Sequence, residues 1–140
     1  MGVVIDTCIW IGLFNGQIDR EALLAVTKDV PAYVSVVTIG ELEYGKEACA
    51  DPALRIRRAR FLQSVEELPV LEITRHTASI FAMLCAADKQ AGGTPRRRYH
   101  DLWIAALAIE NDCAVVTANP DDFKRLPNLE LREIELTPRH

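Results

Sequence analysis

Residues 3–7, Val-Val-Ile-Asp-Thr, constrain the fold of this chain more than any other stretch. Three successive apolar, β-branched residues predict a short strand that is buried on both faces, as in a parallel sheet. The strand ends on Asp6, so the chain delivers a carboxylate to the carboxyl edge of the sheet. In open α/β sheets that edge is where ligands and catalytic groups gather. The function therefore depends on which other side chains reach the same edge.

The rest of the chain alternates short apolar runs with helical patterns. Further strands are predicted at residues 32–37, 70–73, 113–116 and within 129–136. Helices are predicted at residues 20–28, 38–46, 52–68, 74–90 and 100–108, with a short one from 121. Strands that alternate with helices form βαβ units. The pattern predicts a single α/β domain over residues 1–140, in three layers with a central parallel sheet flanked by helices.

Cysteine and histidine usage bears on metals and on location. The four cysteines, Cys8, Cys49, Cys85 and Cys113, form no C-x-x-C pair, and only three histidines are present, which disfavours a zinc site. Since the N-terminus has no secretory pattern, the thiols are expected to stay reduced. No apolar run approaches the roughly 20 residues of a membrane span. The expected location is the cytoplasm, with no membrane partner.

The charge distribution limits how the chain can meet nucleic acid. The formal net charge is −4, whereas proteins that bind nucleic acid through charge alone usually carry a basic surplus. Local basic clusters are therefore needed, and two exist, at residues 55–60 and at Arg96, Arg97 and Arg98. The second lies beside a loop rich in Gly and Pro and next to Asp101, so its arginines are expected to hold phosphates. The first is expected to form a solvated or protein-binding face.

Each acidic residue near a strand end also has a simple structural explanation. Asp6 can cap the following helix, and Glu41 can form a capping box with Thr38. Asp101 and Asp122 fit the first turns of later helices, where the macrodipole favours a carboxylate by about 0.3–1 kcal/mol. Taken one at a time, these acids do not require a function.

Taken together, the positions of the acids indicate a shared site. Three of them follow or flank the ends of successive strands, so they should converge on one edge of the sheet. Clustered carboxylates repel one another unless a cation lies among them. Ligands that are all oxygen suit hard cations such as Mg²⁺ or Mn²⁺. Such a cation lowers the pKa of water and prepares it to attack a phosphodiester, so the acids predict a metal-dependent hydrolase of nucleic acid.

Four segments carry a resemblance to a known family: Val4-Ile5-Asp6-Thr7, residues 35–45, residues 100–106 and residues 116–123. Their order and spacing resemble the PIN domain, and most of all the VapC-type toxins of bacterial toxin–antitoxin pairs, over nearly the whole chain. The resemblance implies a PIN-like fold and a Mg²⁺-dependent endoribonuclease, with Mn²⁺ as a substitute, that cleaves tRNA or ribosomal RNA. It also implies a homodimer that a small antitoxin protein keeps inactive.

Within that resemblance, Asp6, Glu41 and Asp101 match the three acids of the family site. Asp6 and Asp101 would be the principal metal ligands, and Glu41 would complete the shell or orient the attacking water. Thr7 and Thr117 match hydroxyl positions beside the site. The resemblance thus assigns a role to each of the three acids.

Two positions depart from the family pattern. His100 stands where many relatives have asparagine, and we expect it to cap the helix rather than to contact phosphate. The fourth acidic position falls on Asn119, a neutral ligand, so Asp122 is the candidate that supplies the missing charge. The number of metal ions is therefore left open between one and two.

Two other functions compete with a ribonuclease. An aspartyl-phosphate phosphatase needs Asp-x-Asp after the first strand, and Asp6-Thr7-Cys8 does not provide it. The nucleotide-binding motifs G-x-G-x-x-G and the P-loop are also absent. A non-catalytic PIN-like module that binds RNA or protein is the remaining alternative, and retention of all three acids argues against it.

Overall fold

Five parallel strands form one sheet in the computed structural model, which describes residues 1–138. The strands are β1 (Gly2–Ile5), β2 (Ala32–Ser35), β3 (Val70–Leu71), β4 (Cys113–Thr117) and β5 (Leu131–Glu133). Their order across the sheet is β3-β2-β1-β4-β5. The last two residues of the predicted domain lie outside the described part of the chain.

Six helices connect and cover these strands. They are α1 (Thr7–Phe14), α2 (Arg20–Thr27), α3 (Val36–Glu47), α4 (Pro52–Val65), α5 (Arg75–Gln90) and α6 (Tyr99–Glu110). Two short 3₁₀ turns, Pro95–Arg98 and Pro120–Asp122, lie before α6 and after β4. None of the helices within residues 1–138 is both long and apolar enough to cross a membrane.

The two central strands, β1 and β4, define the place where a site can form. Val4 pairs with Tyr33 of β2 on one side and with Val115 of β4 on the other. The chain first runs outward from β1 to β3 and then returns to β4 on the opposite side. The carboxyl ends of β1 and β4 therefore flank the topological switch point, where open α/β sheets bind their ligands.

Side chains of the central strands alternate between two apolar cores, one on each face of the sheet. Val4 and Val115 pack with Leu84 of α5 and Leu102 of α6. Val3, Ile5 and Val116 pack on the opposite face, in a second core to which Ile9 of α1 and Val65 of α4 also belong. The predicted three-layer fold, with a parallel sheet flanked by helices, is confirmed.

The start of α3 differs from the prediction. Ser35 is its N-cap, because the Ser35 hydroxyl accepts the backbone N–H of Thr38 at 3.0 Å. The predicted capping box of Thr38 and Glu41 is therefore wrong. The serine hydroxyl meets the free N–H groups of the first turn, so the helix begins before Thr38 and Glu41 lies in its second turn. Glu41 has no capping role.

The start of α6 differs as well. The 3₁₀ turn Pro95–Arg98 runs directly into the helix, and Arg98 occupies the N-cap position without a capping hydrogen bond from its side chain. His100 is consequently inside the first turn, and the expectation that it caps α6 is wrong. Its side chain is exposed and faces Glu41.

Candidate active site

Asp6 lies at the end of β1, where three hydrogen bonds fix its carboxylate. Its Oδ1 accepts the N–H of Thr7 at 2.8 Å. Its Oδ2 accepts the hydroxyl of Thr117 at 2.8 Å and the thiol of Cys8 at 3.2 Å. The residue is 5% exposed, and this burial raises the pKa of Asp6 while the hydrogen bonds oppose the rise. Asp6 therefore caps α1, as the simple explanation predicted, and also faces the sheet edge with a fixed orientation.

Glu41 reaches the same edge from α3 and is linked to the start of α1. Its Oε1 accepts the hydroxyl of Thr7 at 2.9 Å, and that hydroxyl also lies 2.9 Å from the hydroxyl of Thr38. The Nδ1 atom of His100 lies 3.5 Å from Glu41 Oε2. Burial raises the pKa of Glu41, whereas the Thr7 hydrogen bond and His100 oppose that rise. Thr7 thus holds the two acid-bearing segments together.

Asp101 enters from the first turn of α6 and completes the group. Burial raises its pKa to about 7, and the charges of Asp6, Asp122 and Glu41 contribute further to the rise. Arg98 acts in the opposite direction. Because charges act at short range in a partly solvated cleft, this mutual effect indicates that the four acids share one space.

A cavity of about 430 Å³ contains most of the predicted site residues. It is lined by Asp6, Thr7, Cys8, Ile11, Glu41, Arg96, Arg97, Tyr99, His100, Asp101, Asn119 and Asp122. The backbone N–H of Asn119 donates to the Thr117 hydroxyl at 3.0 Å, and its residue is exposed. The structure therefore brings together all five acid-site candidates and two of the three predicted arginines.

Arg98 is the predicted residue that does not line this cavity. Its guanidinium donates to the backbone carbonyl of Asp121 at 3.4 Å and lies 3.6 Å from the carboxylate of Asp122. Its side chain is half-buried, whereas Arg96 and Arg97 are exposed at the cavity. The arginine cluster is thus divided between Arg98, which forms an ion pair, and Arg96 and Arg97, whose side chains have no ion pair within residues 1–138.

The sequence profile of the PIN domain matches residues 3–129. The chain belongs to the PIN-domain family. It is 31% identical over 137 residues to a Ribonuclease VapC from Rickettsia bellii, covering 97% of this chain and 98% of the relative. It is 34% identical over 133 residues to Ribonuclease VapC5 from Mycobacterium tuberculosis, with 94% and 92% covered. These relatives place the chain among the VapC members of the family.

A solved structure agrees with this assignment. VapBC-5 from Mycobacterium tuberculosis, a member of the VapBC family of toxin–antitoxin systems, superposes with a TM-score of 0.71 at 29% identity. The match covers 96% of this chain and 99% of the other. The PIN-like fold inferred from sequence is therefore confirmed by both the family profile and a structural relative.

One residue in the cleft of this PIN domain was not anticipated as part of the site. Cys8 donates its thiol proton to Asp6 Oδ2, and its sulfur accepts the N–H of Ala118 at 3.4 Å. Burial, aided by the charge of Asp6, raises the pKa of Cys8 to about 11, so the thiol is neutral at physiological pH. The sequence signal for Cys8 is its position two residues after Asp6. A side chain in the first turn of a helix is tilted toward the helix N-terminus, where the capping residue lies.

The donor set of this PIN domain fits Mg²⁺ better than zinc. Among residues 1–138, no three His, Cys, Asp or Glu side chains converge closely enough to hold an ion as they stand. Zinc needs three or four such ligands, whereas Mg²⁺ is commonly held by one or two carboxylates together with several waters. The mutual repulsion of Asp6 and Asp101 is what a divalent cation between them would relieve. These two carboxylates fit a hydrated Mg²⁺.

Proposed function

We propose that this chain is a Mg²⁺-dependent endoribonuclease, acting as one PIN domain over residues 1–140 and as the toxin of a toxin–antitoxin pair. The observation that carries the proposal is the convergence of Asp6, Glu41, Asp101 and Asp122 on one cleft, which two exposed arginines also line. Family membership supports RNA as the substrate, since its relatives are named ribonucleases. The proposed RNA class is tRNA or ribosomal RNA, as the family resemblance implies.

Five side chains of the cleft have proposed roles in hydrolysis. Asp6 and Asp101 hold Mg²⁺, or Mn²⁺ in its place, and Asn119 and Asp122 supply further oxygen atoms around them. A bound cation would neutralise charge at the scissile phosphate and lower the pKa of the attacking water. Glu41 has Oε1 fixed by Thr7, and its Oε2, which lies 3.5 Å from His100 Nδ1, is the oxygen proposed to orient that water and accept its proton.

The exposed arginines, Arg96 and Arg97, are proposed to position the RNA. They have no ion pair within residues 1–138 and line the acid cavity. A guanidinium binds two phosphate oxygens at once, which fixes the strand as well as attracting it. Positioning and charge neutralisation supply most of the catalysis that phosphodiester cleavage needs.

The proposed partners follow from the relatives. VapBC-5 is described as a member of a family of toxin–antitoxin systems, so a small antitoxin protein is the proposed partner of this chain. A homodimer remains a prediction from the family resemblance, and a cytoplasmic location remains a prediction from the sequence pattern. Expression in a bacterial host is expected to arrest growth. Co-expression of the adjacent small gene is expected to relieve that arrest, and an equally harmless wild type and Asp101→Ala variant would remove the support for toxicity.

The direct test is cleavage of a panel of purified tRNA and ribosomal RNA. Wild-type protein is expected to cut with Mg²⁺ or Mn²⁺ and to stop in EDTA. Asp6→Asn should lower the rate by about 100-fold or more, because it removes a charged metal ligand. Asp29→Asn, an exposed acid that does not line the acid cavity, is the matched control. Cleavage that persists in EDTA would contradict the metal mechanism, and RNA that is bound but never cut would support the non-catalytic module.

A further inference from the structure

A second cleft adjoins the acid cavity at Asp101 and Asp122, which line both spaces. Its volume is about 410 Å³. It is lined by residues 92–94, Arg97, Arg98, Asp101, Asp122 and Arg125. Arg97, Asp101 and Asp122 also line the acid cavity, so the two spaces adjoin across these side chains. The second cleft is therefore the space next to the one in which the acids meet.

Arg125 is the unexplained residue of this second cleft. It is half-buried, yet its side chain forms neither a hydrogen bond nor an ion pair within residues 1–138. By contrast, Arg98 pairs with Asp122, and Lys124 lies 3.8 Å from Asp121. Charged groups that lose solvent are normally paired. An unpaired guanidinium beside a cleft therefore indicates an anionic ligand.

The position of Arg125 is set by the core rather than by the surface. Two neighbours, Phe123 and Leu126, are 1% and 9% exposed and anchor the turn that carries it. The N–H of Leu126 donates to the carbonyl of Phe123 at 3.1 Å. The backbone of Arg125 is therefore held in place, which fixes where its side chain starts beside the cleft.

Another part of the lining is the loop of residues 92–94, which includes two glycines. Gly93 packs so tightly on α5 that an added Cβ would lie 2.3 Å from a carboxylate oxygen of Asp88. Its N–H donates to the backbone carbonyl of Asp88 at 2.8 Å. Glycine at this point lets the chain pass close to the helix without a side chain. The lining of the second cleft thus combines a closely packed loop, three arginines and two acids, one of which, Asp122, is paired with Arg98.

We infer that the second cleft holds a phosphate of the bound RNA strand next to the phosphate that is cleaved. Arg125 and Arg97 are the proposed ligands of this second phosphate. The inference rests on the proposed ribonuclease activity and assigns a new binding residue to it. Proteins that bind single strands track the backbone with a positively charged groove. Because the whole chain carries a net charge of −4, its free cations have to be concentrated where the strand runs. Arg96 and Arg97 line the acid cavity, and Arg97 and Arg125 line the second cleft beside it.

The test compares Arg125→Gln with Lys124→Gln, which removes the same charge one residue away from a side chain that lines neither cleft. Binding of a fluorescent, mixed-sequence, 12-nucleotide single-stranded RNA is measured in the Asp6→Asn background, so that the probe stays intact. Arg125→Gln should weaken binding about 5-fold at low salt and reduce the slope of log Kd against log salt by about 0.7. Lys124→Gln should change the affinity less than 2-fold. A dinucleotide probe, too short to span both clefts, should not distinguish the two variants.

Arg125→Lys provides a second, milder variant. It keeps the charge and loses the two-pronged contact, so the affinity should fall while the salt slope stays near that of the parent protein. Thermal unfolding of each variant establishes that the fold is retained. Equal effects of Arg125→Gln and Lys124→Gln on a probe that the parent binds would overturn the second cleft and leave the ribonuclease proposal standing. Absence of both RNA binding and RNA cleavage in the wild type would overturn the ribonuclease proposal and the second cleft with it.

Discussion

Asp101 carries an electrostatic cost that the fold tolerates. Burial and the neighbouring acids raise its pKa to about 7, whereas an aspartate in an unfolded chain titrates near pH ~3.9. Since the folded state binds this proton more tightly, the free energy of unfolding falls as the pH rises from about 4 to about 7. Above that range the cost is present in full. In the absence of a cation, therefore, this acid lowers stability at neutral and alkaline pH.

Asp101→Asn is expected to stabilise the metal-free protein at pH 8 and to have little effect at pH 4, where the aspartate is still about half protonated even in the unfolded chain. Asparagine has the same size but cannot ionise, so the cost of burying a charge and the repulsion from Asp6 and Glu41 are both lost. The melting temperature in EDTA should rise by about 3–6 °C at pH 8. Asp29→Asn, at an exposed position outside the acid cavity, should not show this dependence on pH. An equal shift of Asp101→Asn at both pH values would contradict the electrostatic origin.

Thr117 is expected to control the ionisation of Asp6. Its hydroxyl donates to Asp6 Oδ2 at 2.8 Å and so favours the carboxylate. Thr117→Val removes this donor with almost no change in volume, so the pKa of Asp6 should rise further. The acid limb of the rate–pH profile should therefore move to higher pH. Thr27→Val, which loses a hydroxyl bonded to the Leu23 carbonyl, is the control and should leave the profile unchanged.

At the scale of elements, α3 separates the residue that starts the helix from the residue that serves the cleft. Ser35 is fully buried and satisfies the N–H of Thr38, whereas Glu41 lies further along and faces the acids. In the sequence, Thr38 and Glu41 have the spacing of a capping box, which suggests that both residues serve to start the helix. In the folded chain the cap and the functional acid are different residues, so substitutions can test them separately.

Ser35→Ala should therefore mainly lower stability, whereas Glu41→Gln should mainly lower activity. Ser35→Ala removes the cap and should lower the free energy of unfolding by about 1–2 kcal/mol, measured by urea denaturation. Glu41→Gln removes a carboxylate whose pKa burial raises, so the stability at pH 7 should be retained. Its RNA cleavage should fall about 10- to 100-fold. Marked destabilisation by Glu41→Gln would revive the capping role.

At the scale of the whole molecule, binding of a cation should couple to folding. An ion that binds only the folded state at 100 times its Kd adds about 2.7 kcal/mol to the free energy of unfolding. Mg²⁺ should therefore raise the melting temperature, and more at pH 8 than at pH 6, because protons compete for Asp101 at the lower pH. Scanning calorimetry against NaCl of equal ionic strength measures the effect. A gain that Asp6→Asn retains in full would contradict binding at the acids.

The parts of the molecule that sequence predicts are those set by strong apolar patterns. Asp6 and Asp101 were placed correctly at the sheet edge because β1 and α6 are apolar almost throughout. The start of α6 was misplaced because the turn before it is built from arginines, which carry no pattern. Arg98 was grouped with its neighbours, although its ion pair with Asp122 depends on two segments meeting in space. Local sequence patterns predict helices and strands, whereas a contact between distant segments can be identified only once the fold is known.

The pairing of β1 with β4 also sets the order of events during synthesis. Asp6 is made before Thr117, whose hydroxyl orients it and which lies 111 residues later. At a ribosomal rate of about 5–20 residues per second, this separation corresponds to a delay of about 5–20 s. Throughout that interval the growing chain carries Asp6 without β4, the neighbouring strand that completes the sheet edge. We therefore expect the site to assemble only after β4 has been made, so that an unfinished chain has no complete active site.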